Sequence, residues 1–370
     1  VVTLDEGVEV RECLAPVASN SGGPEPRVVI MGGVDAERTA TYLQHRLTPA
    51  VNSLPQLRAF NAAVGASGDE AVKKPVGIFL QVDTGMTRLG LDVDERAAIL
   101  RDGAAAEMLG SDLQIEFVMT HVACADDPAD TLNATQRRDF DDFVGGLRAA
   151  VKGTHHEGFK CTMASTILTW DDPSAHYDMV RPGLTLYTWR PELYCIAPDA
   201  PPKPTNESTP NVLLSVRLTA PVVQVRQAAK GSKVSYSAKF TCERDSVIGV
   251  VGIGYADGFR RAIGNKGAAL YWTPAQRDGP PPIDASDDAS DPPRNVDGVS
   301  TFRLPIVGTV CMDSCVVDLT DVPPEQRPAE GAQVEVIGPH QPPDQLGAFA
   351  GTIGYEILTS LGSRFRRIYE

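Results

Sequence analysis

VGIFLQVDTGMTRLG, residues 76–90, is the stretch on which the fold of the first half turns. Val76 to Leu80 carry no polar side chain, polar residues follow at once, and a helical stretch comes next at 93–109. A short apolar run in that setting is a strand covered on both faces, the unit of a parallel sheet. The same order repeats outward. Upstream stand VVTL (1–4) and RVVIMGG (27–33), with helical stretches at 5–14, 35–47 and 53–66, and Asp35 is placed to cap the second of these. Downstream stand IEFVMTHV (115–122), KCTMAS (160–165) and DMVRPG (178–183), with a helix at 134–151. This alternation predicts α/β architecture with a parallel sheet, open or closed.

A closed barrel of this class needs eight strands, and six strand segments precede residue 190. The prediction is a (β/α)8 TIM-type barrel whose first two βα units, roughly 30 residues each, are missing ahead of Val1. Because the chain starts at Val1 and not at Met, a targeting signal cannot be assessed.

Between 188 and 211 the composition turns Pro-rich and polar (APDAPPKPTNESTPN), which reads as a linker or surface excursion. Beyond it come VLLSVRLTAPVVQVRQA, SKVSYSAKF, SVIGVVGIGY, PIVGTVCMDSCVVDLT and AQVEVIG, strand-like runs with turn signals between them. The expected organisation is an α/β domain over 1–200 and a mainly β domain over 211–370. Within the second, 274–299 is rich in Pro, Asp and Ser and is expected to be a disordered loop.

With 34 basic against 48 acidic side chains the net charge is −14, which argues against a nucleic acid or an anionic membrane surface as partner. No stretch approaches the ~18 uninterrupted apolar residues of a membrane span. The seven cysteines are too dispersed for a disulfide scaffold, so a reducing compartment, the cytoplasm, is expected. Cys311 and Cys315 lack a second Cys or His pair at ligand spacing, and no metal is predicted.

Two local motifs point the wrong way. Asp83-Thr84-Gly85 matches the triplet of aspartic proteases, but that chemistry needs two carboxylates sharing a proton and no second triplet is present. VGIGYADG (251–258) has the glycines of a dinucleotide loop but lies among β runs, where that loop must open a helix. More informative are Arg88, His121, Ser165 and Arg181, each at or just beyond the end of a different strand segment. In a barrel those ends form the catalytic face, so the four converge on one rim, although a histidine there, taken alone, is more often a satisfied structural residue than a catalyst.

Seven strings tie these residues together: VDTGMTRLG (82–90), MTHVACADDP (119–128), MVRPGLTLY (179–187), KVSYSAKF (233–240), GIGYADGFRR (252–261), IVGTVCMDSCVVDLT (306–320) and TIGYEILTSLGSRFRRIY (352–369). Colinear and spanning both halves, they resemble alanine racemase, a fold type III enzyme dependent on pyridoxal 5'-phosphate (PLP). The resemblance implies a homodimer in which the β domain of one subunit covers the barrel site of the other. It implies that Tyr236 is a proton-exchanging phenol, with His121 and Arg181 behind it, and that Arg181 faces the pyridine nitrogen of PLP. It further implies Ser165, the backbone at Gly183 and Leu184, and Tyr355 as holders of the cofactor phosphate, and Arg88 with the backbone at Met312 as holders of the substrate carboxylate. Tyr255, with Asp313 and Arg261 near it, resembles the gate of a channel for a small amino acid such as alanine. Arg261 reads equally as a solvated surface charge.

Three departures accompany the match. None of the nine lysines lies in the family's lysine motif for PLP, so the chain as written is expected to be inactive or nearly so. Gln81 stands where many members have a lysine that supports the arginine, and its amide is expected to bond Arg88 instead. MASTILTW lacks the usual Asn before Ser165, so Ser165 and Thr166 compete for the phosphate. The resemblance implies interconversion of L- and D-alanine by two-base proton exchange. A PLP-dependent decarboxylase of the related fold and a non-catalytic remnant that binds PLP or a partner are the alternatives.

Overall fold

The computed structural model describes residues 1–21, 25–67, 75–101, 104–187, 215–274, 294–296, 299–338 and 340–369. The excursion at 188–211 and most of the segment 274–299 lie outside the described residues. Two compact units are formed, Val1–Pro182 and Gly183–Glu370.

In the first unit the order is α1 (Leu4–Ser21), β1 (Val28–Ile30), α2 (Thr39–Gln44), β2 (Leu47–Val51), α3 (Leu54–Ala66), β3 (Val76–Gln81), α4 (Val93–Ile99), α5 (Ala104–Leu109), β4 (Leu113–Met119), α6 (Thr131–Ala150), β5 (Lys160–Thr162) and α7 (Thr166–Asp171). The five strands lie parallel and side by side in sequence order, as in the wall of a βα barrel. β3 shows why its sequence is apolar from Val76 to Leu80. Ile78 and Leu80 pack with the main core alongside the helices, whereas Phe79 joins Ala50, Phe117 and Met119 in a separate cluster, with the Phe79 and Phe117 rings 4.7 Å apart.

Several expectations need correction. VVTL is not a strand: Leu4 already opens α1, because Glu6 accepts from the N–H groups of Val2 and Thr3 while the Thr3 hydroxyl accepts from Glu6 N–H. That Thr-x-x-Glu exchange is the cap that starts a helix. Val1 and Val2 lend carbonyls to Met31 and Gly32 just past β1, and the Val1 amine donates to the Val29 carbonyl (3.2 Å). DMVRPG is not a strand either; it makes a single bridge, Arg181 to Ser165, and Pro182 has no N–H to extend it. Conversely β2 went unseen in the sequence. Pro49 interrupts its pattern, yet all five residues are buried and Pro49 registers against Ile30. Asp35 does cap, but the segment it opens is a short 3-10 turn, Ala36–Arg38, ahead of α2.

The second unit contains β6 (Leu218–Ala228), β7 (Lys233–Val234), β8 (Phe240–Thr241), β9 (Ser246–Val251), β10 (Ala269–Trp272), β11 (Arg294–Val296), β12 (Val299–Pro305), β13 (Cys315–Asp318), β14 (Gln333–Ile337), α8 (Pro343–Ala350) and α9 (Gly354–Thr359). Seven strands form one sheet in the order β11-β12-β10-β14-β6-β9-β13, with every pairing antiparallel. β7 and β8 form a separate hairpin. β11 corrects the expectation of disorder across 274–299, since Arg294–Val296 pairs antiparallel with β12.

Candidate active site

At the C-terminal ends of β3 and β4 the first unit opens a cavity of about 280 Å³ lined by Met31, Gly32, Gln81, Arg88, Met119, Thr120, His121 and Arg181, among others. Arg181 is its organiser. Nη1 donates to the Thr162 hydroxyl (2.6 Å), and Nη2 to the carbonyls of Thr120 (2.6 Å) and Met163 (3.2 Å), while lying 3.4 Å from Nδ1 of His121. These contacts pin the guanidinium to the ends of β4 and β5. Its burial pushes its pKa down to about 10.

His121 answers to the same surroundings. Burial first, then the Arg181 and Arg88 guanidiniums, push it down to about 4, so the imidazole is neutral at pH 7. Its backbone is held from α6: Gln136, fully buried, donates to the His121 carbonyl (3.0 Å) and to the Thr84 hydroxyl (3.3 Å), and accepts from Ala123 N–H (2.8 Å). Thr84 and Thr120 hydroxyls complete the chain at 2.8 Å. Nothing in the sequence marks Gln136, Thr84, Thr120 or Thr162 for this work, because each acts through contacts between separate elements.

Arg88 is exposed at the cavity mouth. Gln81 does not bond it as expected: its Nε2 donates to the Leu89 carbonyl (3.2 Å), gripping the neighbouring backbone, and its Oε1 is buried without a partner. Ser165 is joined to this group through the backbone, since Arg181 N–H donates to the Ala164 carbonyl (2.9 Å). Ser165 caps α7 by position but makes no side-chain capping bond, and Thr166 beside it is buried.

The second unit gathers the remaining candidates in separate places. Met312 and Tyr255 are brought together by backbone: Tyr255 N–H donates to the Cys311 carbonyl (3.0 Å) and Ala256 N–H to that of Met312 (2.9 Å). Asp313 is bonded by Arg364 (2.7 Å), which also reaches Asp257 (3.2 Å), whereas Arg261 lines an open pocket with Tyr255, Arg260 and Ser360. Arg364 lies within a quoted string but carried no expected role. Tyr236 is 69% exposed on a turn between β7 and β8. Tyr355 is the second residue of α9, and Gly183 and Leu184 stand at a 3-10 turn, Leu184–Leu186. Among the described residues no cluster of His, Cys, Asp or Glu is able to hold a metal ion.

Comparison with known proteins decides the family. The model described as alanine racemase, N-terminal domain, matches residues 1–191, and that described as alanine racemase, C-terminal domain, matches 215–276 and 293–369. The chain belongs to the alanine racemase family. An alanine racemase of Cereibacter sphaeroides is 35% identical over 371 residues, covering 100% of this chain and 82% of its own length. A catabolic alanine racemase of Agrobacterium fabrum is 31% identical over 369 residues, covering 100% of this chain and 78% of its own. Among solved structures, the alanine racemase of Bartonella henselae with covalently bound pyridoxal phosphate superposes with a TM-score of 0.74 at 26% identity, covering 100% of this chain and 84% of that one. Alanine racemases are isomerases, and their TIM barrel followed by a β domain is the fold class of this chain. Within this family the cavity of Arg181, His121 and Arg88 lies in the N-terminal match, and Tyr236, Tyr255, Met312 and Tyr355 lie in the C-terminal one.

Proposed function

We propose that this member of the alanine racemase family interconverts L- and D-alanine with PLP, and that Arg181 is the residue its cavity is built around. The observation that carries this is the immobilised guanidinium itself. Four partners hold it, yet it still lines a cavity whose walls are the apolar Met31 and Met119 and the polar Thr120, as a flat heteroaromatic ring requires. Arg181 would face the pyridine nitrogen. Its full charge and lack of a readily lost proton keep that nitrogen unprotonated, which favours brief proton exchange over reactions needing a long-lived carbanion. Ser165 or Thr166, the backbone at Gly183 and Leu184, and Tyr355 would hold the phosphate. When bound, PLP supplies electron withdrawal that acidifies the substrate Cα–H.

The chain's own residues do the rest. Arg88 and the backbone at Met312 orient the substrate carboxylate, Arg88 by paired N–H donors. Tyr236 moves a proton at its phenolic oxygen, reaching the site from a second copy of the chain in a homodimer. Neutral His121 accepts without adding charge to the crowded cationic corner. Tyr255 limits access to small amino acids. No lysine lines the cavity among the described residues, so these residues alone should exchange the Cα proton slowly. A cytoplasmic setting suits free alanine as substrate.

The test mixes the protein with PLP and L-alanine and follows D-alanine by chiral chromatography and carbon dioxide in parallel. Slow D-alanine formation that methylamine accelerates, as a stand-in for a lysine amine, supports the reading. Carbon dioxide release favours the decarboxylase instead. PLP binding with neither product, even with amine, leaves a binding remnant and overturns the racemase.

A further inference from the structure

The turn carrying Tyr236 runs against the preferences of its own residues. Ser235, Ser237 and Ala238 all have positive φ (62°, 63° and 49°), and none is glycine. Residues held this way persist only where surrounding structure over-determines them, and they concentrate where function needs a fixed presentation.

What over-determines them is a two-sided grip from the loop at 308–309 and from Asn265. Ser235 Oγ donates to the Thr309 carbonyl (2.5 Å), and the Thr309 hydroxyl donates back to the Tyr236 carbonyl (3.0 Å), a reciprocal pair closed around one residue. Ser235 Oγ also lies 3.4 Å from Cys311 Sγ. Gly308 lets the loop come this close. It has φ 78°, and a Cβ there would stand 2.9 Å from Ser235 Cβ and 3.0 Å from the Val234 carbonyl. On the far side, Asn265 Oδ1 accepts from Gly308 N–H (2.6 Å) while its Nδ2 donates to the Lys239 carbonyl (3.4 Å). Thr309 is thus buried at the centre, and the Tyr236 ring it secures stands outward.

We propose that Thr309 is a positioning residue: its hydroxyl and carbonyl lock the 235–239 turn so that the Tyr236 phenol is presented at one fixed place to the Cα of a small amino acid. The functional half rests on Tyr236 being the proton-moving phenol; the mechanical half rests on the bonds alone. A backbone strained in this way relaxes once the bonds go, and a relaxed turn both admits protease and lets the phenol wander.

The experiment compares wild type with Thr309→Val, which keeps shape and carbonyl but loses the donor, Thr309→Ser, which restores it, and Tyr236→Phe. Two readouts are taken. One is the rate of tryptic cleavage after Lys239 by mass spectrometry. The other is deuterium entry at Cα of L-alanine in D2O with PLP and methylamine present. Thr309→Val should be cut about tenfold faster and exchange about tenfold more slowly, with Thr309→Ser within about twofold of wild type on both. Ser235→Ala, which removes the other arm, should reproduce the faster cleavage and serves if Thr309→Val does not fold. Unchanged cleavage in the folded donor-deleted variant, or no rescue by serine, overturns the clamp. If Tyr236→Phe exchanges as fast as wild type, the phenol's role fails while the cleavage rates still judge the clamp.

Discussion

Arg181 and His121 share a corner that neither can leave alone: the guanidinium lies 3.4 Å from the imidazole Nδ1 and donates at 2.6 Å to the carbonyl of Thr120, the residue before that histidine. The cation and the imidazole are therefore fixed to each other through backbone. A charged imidazole beside two guanidiniums in a buried place is unfavourable, and His121 stays neutral.

The consequence is a pH signature. His121 is pushed down to about 4, so on acidification the unfolded chain takes up this proton first. Its contribution to stability is complete above about pH 6.5 and is lost as pH falls to about 4, on the order of 3 kcal/mol in all. Imidazole NMR should show this midpoint in wild type and a higher one in Arg181→Gln, still below the usual histidine range because burial is the larger cause. A midpoint unmoved by that substitution would show that the arginine is not a cause.

Gln136 supplies three buried hydrogen bonds from one amide. Gln136→Leu strands the Ala123 N–H and the His121 carbonyl, and should cost roughly 2–4 kcal/mol in urea unfolding. Gln136→Glu keeps the acceptor for Ala123 and should cost less at acid pH, where the carboxyl is protonated. Equal losses at pH 5 and pH 8 would contradict this account.

Asp344 in α8 is buried, with Oδ1 unpartnered, and burial raises its pKa to about 6. The folded chain keeps this proton where the unfolded chain has lost it. Its stabilising contribution is full below about pH 4 and disappears as pH rises through about 6. Asp344→Asn should therefore gain on wild type by about 1–3 kcal/mol between pH 4 and pH 8, read from paired denaturation curves. A constant difference would place the carboxylate with a partner that stabilises its charge.

Gly90 closes the turn that presents Arg88. Its φ is 116°, and a Cβ would stand 2.6 Å from Asp83 N and from the Val82 carbonyl carbon. Gly90→Ala should lose about 3 kcal/mol or more and weaken carboxylate binding with it, measured by thermal unfolding and by alanine titration of the PLP-loaded protein. Wild-type values for both would mean that the turn has room the geometry denies it.

Much of this is legible in the sequence. The apolar run 76–80 announced a strand covered on both faces because local composition alone sets that demand, and the seven strings brought Arg88, His121, Arg181 and Tyr236 forward together. Other features were hidden for local reasons. β2 is five residues with a proline in it, too short and too broken for any period to register. VVTL has strand composition, yet the Thr3–Glu6 exchange starts a helix there, and the sequence shows both signals without saying which wins.

By itself, then, the sequence determined the βα alternation, the change to β segments, the acidic character and the residue types of the site, all of which follow from side-chain chemistry and short-range spacing. Only the tertiary structure decided that Gln81 grips Leu89 instead of Arg88, that Gln136 reaches across from α6 to hold His121, and that Thr309 locks the turn of Tyr236. Those choices depend on which hydrogen-bond donor is buried beside which acceptor, and that is settled by distances between segments far apart in the chain.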